Sequence, residues 1–489
     1  MFVSPLRETI NRTSTFINSN VKADRKKYGQ FFTSESIAIF MSSMFSIDQG
    51  KDSLSILDAG SGSGILSVAL LTRIRESGYT GFIKLVCYET DEKVISLLAR
   101  NLTSIKDSRF SFEIRGENYI TSQPFEESLF LKSNTVQEKY DFIIGNPPYK
   151  KIPKDAPEAI HMSSVCHGAP NLYFLFWAMG IHNLKEGGEL VYVIPRSWTS
   201  GAYFEKFRKY LLQHCVICDI HIFKSRDKIF DGESVLQETM IIKVRKEKSI
   251  SPMIRISSSS TSDFLDLKYF EVDYNIVVGN NGYIYIVTDE KDAEVLSILG
   301  KLPFTLVSDN LRMRTGIIVD FRTKEVLRNV PSDTTYPLFY CQHIKDGRIT
   351  WPIGKENEFI DTDHQGYLQE NTNYLFVKRF TAKEEKRRLQ CGIYLSSDYP
   401  EYRYISTQNK LNYIKCSSIE EVYGLYVLLN STIYDQYYRI LNGSTQVNST
   451  EINNMPVPSK EVISEMGKEL VGKALNQSVC DKILRKWIN

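Results

Sequence analysis

Neither sign of charge dominates this chain: 60 Lys and Arg stand against 58 Asp and Glu over 489 residues, a net of +2. That excludes a histone-like or polyacidic chain whose function is its charge. Long apolar runs are missing as well. A bilayer span needs about 18–20 apolar residues, and the densest run, Leu172–Ile181, has ten, so no membrane span is expected. Met1–Thr15 lacks the apolar core of a secretory signal. Cysteine is sparse, eight in all and mostly single within apolar runs, as at Cys87 and Cys341. This excludes a disulfide framework and suits reduced core residues of a cytoplasmic protein. No internal repeat is visible, which excludes a solenoid.

One segment does carry zinc-ligand residue types, His214-Cys215-Val216-Ile217-Cys218-Asp219-Ile220-His221. A single Cys-x-x-Cys without a second pair at finger spacing is weak evidence. The β-branched run reads as a strand whose alternate side chains face opposite ways, so no metal is expected.

With 42% hydrophobic residues, the chain is long enough for two domains, since single cores rarely grow past about 250–300 residues. An amphipathic helix is expected over Ser34–Phe45, after a basic stretch at Lys22, Arg25, Lys26 and Lys27. From 54 to about 245 the pattern alternates. Strands are predicted at Leu54–Leu57, Phe82–Tyr88, Phe110–Ile114, Asp141–Ile144, Glu189–Ile194, Val216–Phe223 and Thr239–Val244. Helices are predicted over Gly64–Ile74, Glu92–Leu102, Asn171–Asn183 and Tyr203–Leu212. Repeated βα units imply a mostly parallel, doubly wound α/β sheet. The serine run Ser257–Ser262 within Lys246–Ser262 reads as a linker, placing a boundary between domains 1–250 and 251–489.

Leu57-Asp58-Ala59-Gly60-Ser61-Gly62-Ser63-Gly64 follows the first strand and opens a helix. Glycines let such a turn reach unusual φ values and let a ligand approach the backbone. No Gly-Lys-Ser/Thr follows, and the spacing is not Gly-x-Gly-x-x-Gly, so neither a P-loop nor a dinucleotide fingerprint is present. Glu89, ending the second strand, suits a ribose with two free hydroxyls. The ligand implied is an adenosine without a pyrophosphate.

Asp141-Phe142-Ile143-Ile144-Gly145-Asn146-Pro147-Pro148-Tyr149 is the most informative segment. A buried strand ends in an amide followed by two prolines, whose fixed φ angles hold Asn146 and the Pro147 carbonyl in one geometry without competing backbone N–H groups. The carboxyl ends of such strands are where α/β sheets bind ligands.

With these motifs the chain resembles the amino-methyltransferases that use S-adenosylmethionine, and within them the gamma-class, TaqI-like adenine-N6 DNA methyltransferases of restriction-modification systems. Order carries the subclass: Tyr28-Gly29-Gln30-Phe31-Phe32-Thr33 precedes the glycine turn, Asn-Pro-Pro-Tyr follows it, and a long second half comes last. The resemblance implies a Rossmann-like catalytic domain over 1–250 and an α+β target-recognition domain over 251–489. It implies S-adenosyl-L-methionine as cofactor and double-stranded DNA as substrate. Thr33 would lie near the methionine carboxylate, Asp58, Gly60 and Gly62 would line methionine and ribose, and Glu89 would take the ribose hydroxyls. Glu117 matches the residue expected near the adenine amino group, with its register against Asn118 open. Phe176 matches an aromatic that packs on the cofactor, and at helical spacing it suits the core equally.

An aromatic amine is a poor nucleophile because its lone pair is delocalised. Acceptance of its hydrogens by Asn146 and the Pro147 carbonyl, in the turn that Pro148 and Tyr149 complete, would localise that pair, and in-line placement would supply most of the acceleration. No general base is needed in the motif. The target base must be rotated out of the duplex. Tyr149 offers one aromatic face, and Phe230 in Lys228-Ile-Phe-Asp-Gly232 is the candidate for a second, with Phe223 the alternative.

The second half would read sequence. Arg312, Arg314, Arg322, Val377–Phe380 and Lys383–Arg388 set basic residues among aromatics, which suits phosphate positioning and guanine reading, though Lys383–Arg388 suits a solvated face better. The nine tyrosines from Tyr399 to Tyr438 are expected mainly in a core. Rival readings are an RNA or protein-glutamine amino-methyltransferase and a non-catalytic DNA-specificity protein. A monomer is expected, with any cognate restriction endonuclease encoded separately. The near-neutral total would then hide an acidic cofactor pocket beside basic DNA-contacting segments.

Overall fold

The structure, a computed structural model, describes residues 4–19, 33–125, 138–224, 239–247, 249, 252–382, 384–442 and 445–488. They form two compact units, Met1–Ile284 and Tyr285–Asn489.

In the first unit the strands are β1 (Ser53–Ala59), β2 (Phe82–Tyr88), β3 (Phe110–Arg115), β4 (Tyr140–Gly145), β5 (Leu184–Pro195), β6 (Val216–Phe223), β7 (Thr239–Arg245), β8 (Met253–Ser259) and β9 (Lys268–Asp273). They form one sheet of order β3-β2-β1-β4-β5-β7-β6-β8-β9. Strands β7 and β9 are antiparallel to their neighbours, and the remaining pairs are parallel. Strand parity divides the two faces. Phe142 and Ile144 join Ile56, Val191 and Val193 in a core with α2 (Glu35–Ser43), α3 (Ile65–Glu76) and α4 (Glu92–Thr103), and α1 (Pro5–Ser19) packs outside them. On the opposite face, Ile143 and Leu190 meet α5 (Leu172–Asn183) at Gly180. The expected helix over Tyr203–Leu212 is α6 (Glu205–His214), entered through a 3-10 turn, Ala202–Phe204.

The boundary expected at 250 is corrected by this sheet: the first unit runs to Ile284 because β8 and β9 extend it. The first half of the serine run, Ser257–Ser259, is strand, not linker. Ser257 and Ser259 are buried, and their hydroxyls bond the two ring nitrogens of buried His221, at 2.9 and 3.1 Å. Turn propensity is overridden here because the hydroxyls satisfy a buried imidazole. Of the zinc-like residues, His214 Nδ1 instead contacts the Tyr210 carbonyl at 2.8 Å. Among the described residues no three His, Cys, Asp or Glu side chains cluster as metal ligands.

The second unit contains a six-stranded sheet built around β10 (Met313–Thr315), β12 (Asn373–Lys378), β13 (Cys391–Tyr394) and β15 (Leu411–Cys416). A five-stranded sheet includes β11 (Thr335–Phe339) and β14 (Tyr404–Thr407). Its helices include α7 (Ile419–Asn430), α8 (Thr432–Leu441) and α9 (Lys460–Leu470). Tyr423, Tyr426, Tyr434, Tyr437 and Tyr438 are buried, as the tyrosine run suggested. Within Lys383–Arg388 the solvated-face reading holds for Glu384, Glu385 and Lys386 but not for Arg388, which is fully buried and bonds Thr381 Oγ1 and the Asn442 carbonyl, both at 3.2 Å. No helix among the described residues is long and apolar enough to cross a membrane.

Candidate active site at the carboxyl ends of β1, β2 and β4

The glycine turn leaves β1 at Ala59 and enters α3 through Gly64. Gly60, Gly62 and Gly64 all have positive φ, 70°, 53° and 82°, which side-chain-bearing residues adopt only with strain. The backbone amides of Gly60 and Ser61 both donate to the Tyr88 carbonyl at 2.9 Å, anchoring the turn to the end of β2. At Gly64 a β-carbon would lie 2.7 Å from Leu98 Cδ1, so this glycine also lets α3 and α4 approach.

Asp58 shares the strand face of Leu54 and Ile56 and is buried beneath the turn. Its Oδ2 accepts from Ser67 Oγ at 2.6 Å, whereas Oδ1 is buried without a hydrogen-bond partner among the described residues. Desolvation pushes the carboxyl up to about 7. An orphaned carboxylate oxygen at this position suits a cationic ligand group. Glu89 is fixed by three amides: Oε1 accepts from Thr90 and Asp91 at 2.8 and 3.0 Å, and Oε2 from Gly62 at 3.0 Å. Burial raises its pKa against the pull of those amides. Oε2 keeps a lone pair for a hydroxyl donor. Asp91 caps α4 through Lys93 N and Val94 N instead.

At the end of β4, the Asn146 side chain is held from both sides. Its Nδ2 donates to Thr33 Oγ1 at 3.3 Å, and its Oδ1 accepts from the Tyr149 hydroxyl at 2.8 Å. That hydroxyl also donates to the Val193 carbonyl at 2.9 Å. Burial holds the phenol well above its ordinary pKa, so it remains a donor. Pro147 is buried, and Pro148 abuts the glycine turn: a β-carbon on Gly60 would lie 3.9 Å from Pro148 Cδ and 3.6 Å from Phe176 Cε1. Phe176 is half-exposed while Tyr173, Phe174, Leu175, Trp177 and Ala178 of the same helix are buried. Of its two readings, the geometry therefore favours a ring over the turn.

The structure thus brings Thr33, Asp58, Gly60, Gly62, Glu89, Asn146, Pro147, Pro148, Tyr149 and Phe176 to the carboxyl ends of three adjacent strands and the helix facing them. Glu117 is exposed beyond β3, while Asn118 is engaged: its Oδ1 accepts from Ile120 and Thr121 at 3.0 and 3.2 Å, and its Nδ2 donates to Glu158 at 2.7 Å. Of the two, Glu117 has the carboxylate without such a structural task. Phe230 lies outside the described residues, as do Tyr28–Phe32 and the Lys22–Lys27 cluster. Its alternative, Phe223, is a core residue 4% exposed, its ring 4.6 Å from that of His221, so it offers no face to a base. Tyr119 was not anticipated. Its buried ring lies 5.2 Å from Phe176 and 5.0 Å from Tyr88, backing Phe176 from behind. Ser67 was legible only as a polar residue in the apolar run Ile65–Leu71.

Residues 75–230 match the family model described as Eco57I restriction-modification methylase. The chain is 32% identical to the Type II methyltransferase M.PstI of Providencia stuartii, over 99% of this chain and 96% of the relative. It is 34% identical to the Type II methyltransferase M.BsuBI of Bacillus subtilis, over 96% of this chain and 95% of the relative. A cryo-electron-microscopy structure of a DrdV–DNA complex shares the fold with a TM-score of 0.52 at 12% identity, covering 95% of this chain and 59% of that one.

Proposed function

Because the chain belongs to the Type II methyltransferases of restriction-modification systems, we propose that it methylates the N6 amino group of adenine in double-stranded DNA, using the residues gathered at β1, β2 and β4. S-adenosylmethionine, when bound, supplies an electrophilic methyl group on a sulfonium sulfur. The residues fit it. Asp58 Oδ1, buried and unpartnered, takes an ammonium; Glu89 Oε2 takes a ribose hydroxyl; Gly60 and Gly62 leave room where side chains would intrude. Phe176, backed by buried Tyr119, forms the apolar wall, and Glu117 stands at the rim to accept from an adenine amino group.

The observation that carries the reading is the clamped Asn146 amide. With Nδ2 on Thr33 and Oδ1 on Tyr149, the amide is held between two hydroxyls. Oδ1 has a second lone pair, and the Pro147 carbonyl has no neighbouring N–H at Pro148 to compete for it. These two acceptors take the hydrogens of the target amine and direct its lone pair outward. Orientation of this kind acts before the bond is made, so it lowers the barrier rather than the energy of the bound substrate alone. The proton leaves after methyl transfer, which is why no carboxylate or imidazole is needed in Asn146–Tyr149. The second unit selects the site, and the modified site is protected from a separately encoded endonuclease.

The test is methyl transfer from labelled cofactor to unmethylated plasmid DNA, followed by nucleoside analysis and base-resolution sequencing. N6-methyladenine at one sequence context, lost in Asn146→Ala with cofactor binding retained, is the expected result. A methylated cytosine, or transfer only to RNA or protein, overturns it.

A further inference from the structure

In the second unit, three stretches distant in sequence meet at one end of the six-stranded sheet. Antiparallel register sets Lys378, the last residue of β12, beside Leu411 at the start of β15, and Thr315, the last of β10, beside Asn412. The chain leaving β10 is then fastened to the turn before β15. Gly316 N donates to the Leu411 carbonyl at 2.7 Å, and a β-carbon there would lie 2.1 Å from the Gln408 carbonyl oxygen. Ile317 and Ile318 both donate to the Thr407 carbonyl, and Asn409 N returns a bond to Ile318 at 2.8 Å. The chain leaving β12 is fastened to the same turn, Arg379 N to the Lys410 carbonyl at 3.0 Å and Arg379 Nη1 to the Asn409 carbonyl at 2.9 Å.

This rigid corner presents two large aromatics to solvent, Phe321 at 70% exposure and Phe380 at 45%. Each carries the guanidinium of its sequence neighbour over its ring, Arg322 at 5.3 Å and Arg379 at 5.6 Å. Lys410 is exposed beside them. Among the described residues neither arginine nor Lys410 makes an ion pair. The acid within the corner, Asp320, has Oδ2 engaged with Gln408 at 3.3 Å. Hydrated phenylalanine at the tip of a fastened turn is unfavourable for an isolated chain and characteristic of contact surfaces. Arginines braced on rings keep N–H groups free for phosphate oxygens or guanine edges.

We propose that this corner, with Phe321, Arg322, Arg379, Phe380 and Lys410, grips the DNA substrate: the cations fix the backbone and the two phenylalanines pack on sugars or bases at the recognised site. The proposal rests on the reading of the chain as a DNA methyltransferase, and commits to duplex DNA because three cations outnumber the one acid and none of the three is in an ion pair among the described residues.

The test uses the full chain. Sequencing of DNA methylated by the wild type supplies a duplex carrying the modified site, and a scrambled duplex is the control. Affinity is read by fluorescence anisotropy at several salt concentrations, with cofactor affinity and melting temperature as checks on folding. Arg322→Ala and Lys410→Ala should weaken both duplexes about tenfold at low salt and each reduce the slope of log affinity against log salt by roughly one. Phe321→Ala and Phe380→Ala should weaken the site duplex about tenfold and the scrambled one less. Wild-type binding and methylation with all four variants unchanged overturns this corner while leaving the enzymatic reading intact. A change in oligomeric state with unaltered DNA affinity also overturns it, assigning the corner to contacts between copies. A wild type that neither binds nor methylates DNA removes the reading beneath both.

Discussion

The Tyr149 hydroxyl lies 2.8 Å from Asn146 Oδ1 and 2.9 Å from the Val193 carbonyl, so one phenol proton links the amide at the end of β4 to the backbone of β5. An aromatic in this motif is ordinarily valued for its ring. Here its hydroxyl also holds the amide, donating to the oxygen of Asn146 while the amide nitrogen donates to Thr33 Oγ1. The ring is thereby held as well as the amide.

Tyr149→Phe keeps the ring and removes that donor. A net hydrogen bond is worth about 0.5–1.5 kcal/mol, so the single-turnover rate should fall roughly three- to tenfold, with cofactor affinity unchanged. Tyr149→Ala should fall much further, since ring and donor are lost together. Equal rates for Tyr149→Phe and wild type would confine the residue to its ring.

Asp58 sets a pH dependence of known sign. Its carboxyl is raised from 3.8 to about 7, first by burial and slightly by Glu89, against hydrogen bonds from Ser67. Between those values the folded chain retains a proton the unfolded chain has lost, so stability of the cofactor-free protein falls as pH rises, by up to about 1.4 kcal/mol per unit. A cationic ligand group prefers the ionised carboxylate, so cofactor binding strengthens over the same rise, approaching tenfold per unit below pH ~7 and levelling above it. Calorimetry in buffers of different ionisation enthalpy should show proton release on binding. Asp58→Asn should bind weakly with a flat profile and melt higher than wild type at alkaline pH; a slope surviving in that variant transfers the effect to Glu89.

Gly60→Ala separates backbone strain from ligand space. With φ at +70°, an alanine costs about 1–2 kcal/mol. Its methyl would make only ordinary contacts, 3.6 Å to Phe176 and 3.9 Å to Pro148. Stability should therefore drop modestly while cofactor affinity drops at least tenfold, because the methyl stands in the seat between them. Gly64→Ala should show the opposite balance, since its β-carbon would meet Leu98 Cδ1 at 2.7 Å, inside the α3–α4 contact.

What could be read from the sequence was what local pattern encodes. Strands Phe82–Tyr88 and Val216–Phe223 fall where the β-branched runs put them, and the glycine turn and Asn146–Tyr149 stand at strand ends because punctuation residues end strands. Contacts between distant segments were not legible. Nothing in Thr33 says that its hydroxyl meets Asn146, and nothing in Ser257 says that a buried histidine needs it, so the strand it occupies was read as linker. Arg388 looked like part of a charged surface because composition cannot show that Thr381 and Asn442 enclose it. The burial of Asp58, which decides the pH behaviour, and its orphaned Oδ1 are visible only once its neighbours are placed.

Lys243 and Glu189 pose the last question, whether a buried ion pair holds α2 to the sheet or merely neutralises itself. The pair is 2.8 Å apart with both side chains almost fully buried. Lys243 also donates to the Met44 carbonyl at 2.7 Å and Ser46 Oγ at 3.1 Å, and Glu189 accepts from Ser46 N at 2.8 Å. Three groups at the end of α2 thus converge on β5 and β7. Removing one charge strands the other in the core, so Lys243→Met or Glu189→Leu alone should destabilise by about 3–5 kcal/mol. If the pair mainly offsets its own desolvation, the double variant should recover most of that loss in chemical denaturation, because apolar side chains of similar volume need no partner. If α2 depends on the two bonds to Ser46 and the one to Met44, the double variant should remain destabilised, and proteolysis should begin near 44–46. The second outcome is expected, since three bonds fasten the end of α2 to the pair, and activity should then fall with the helix if the Thr33 hydroxyl that precedes it is drawn from Asn146.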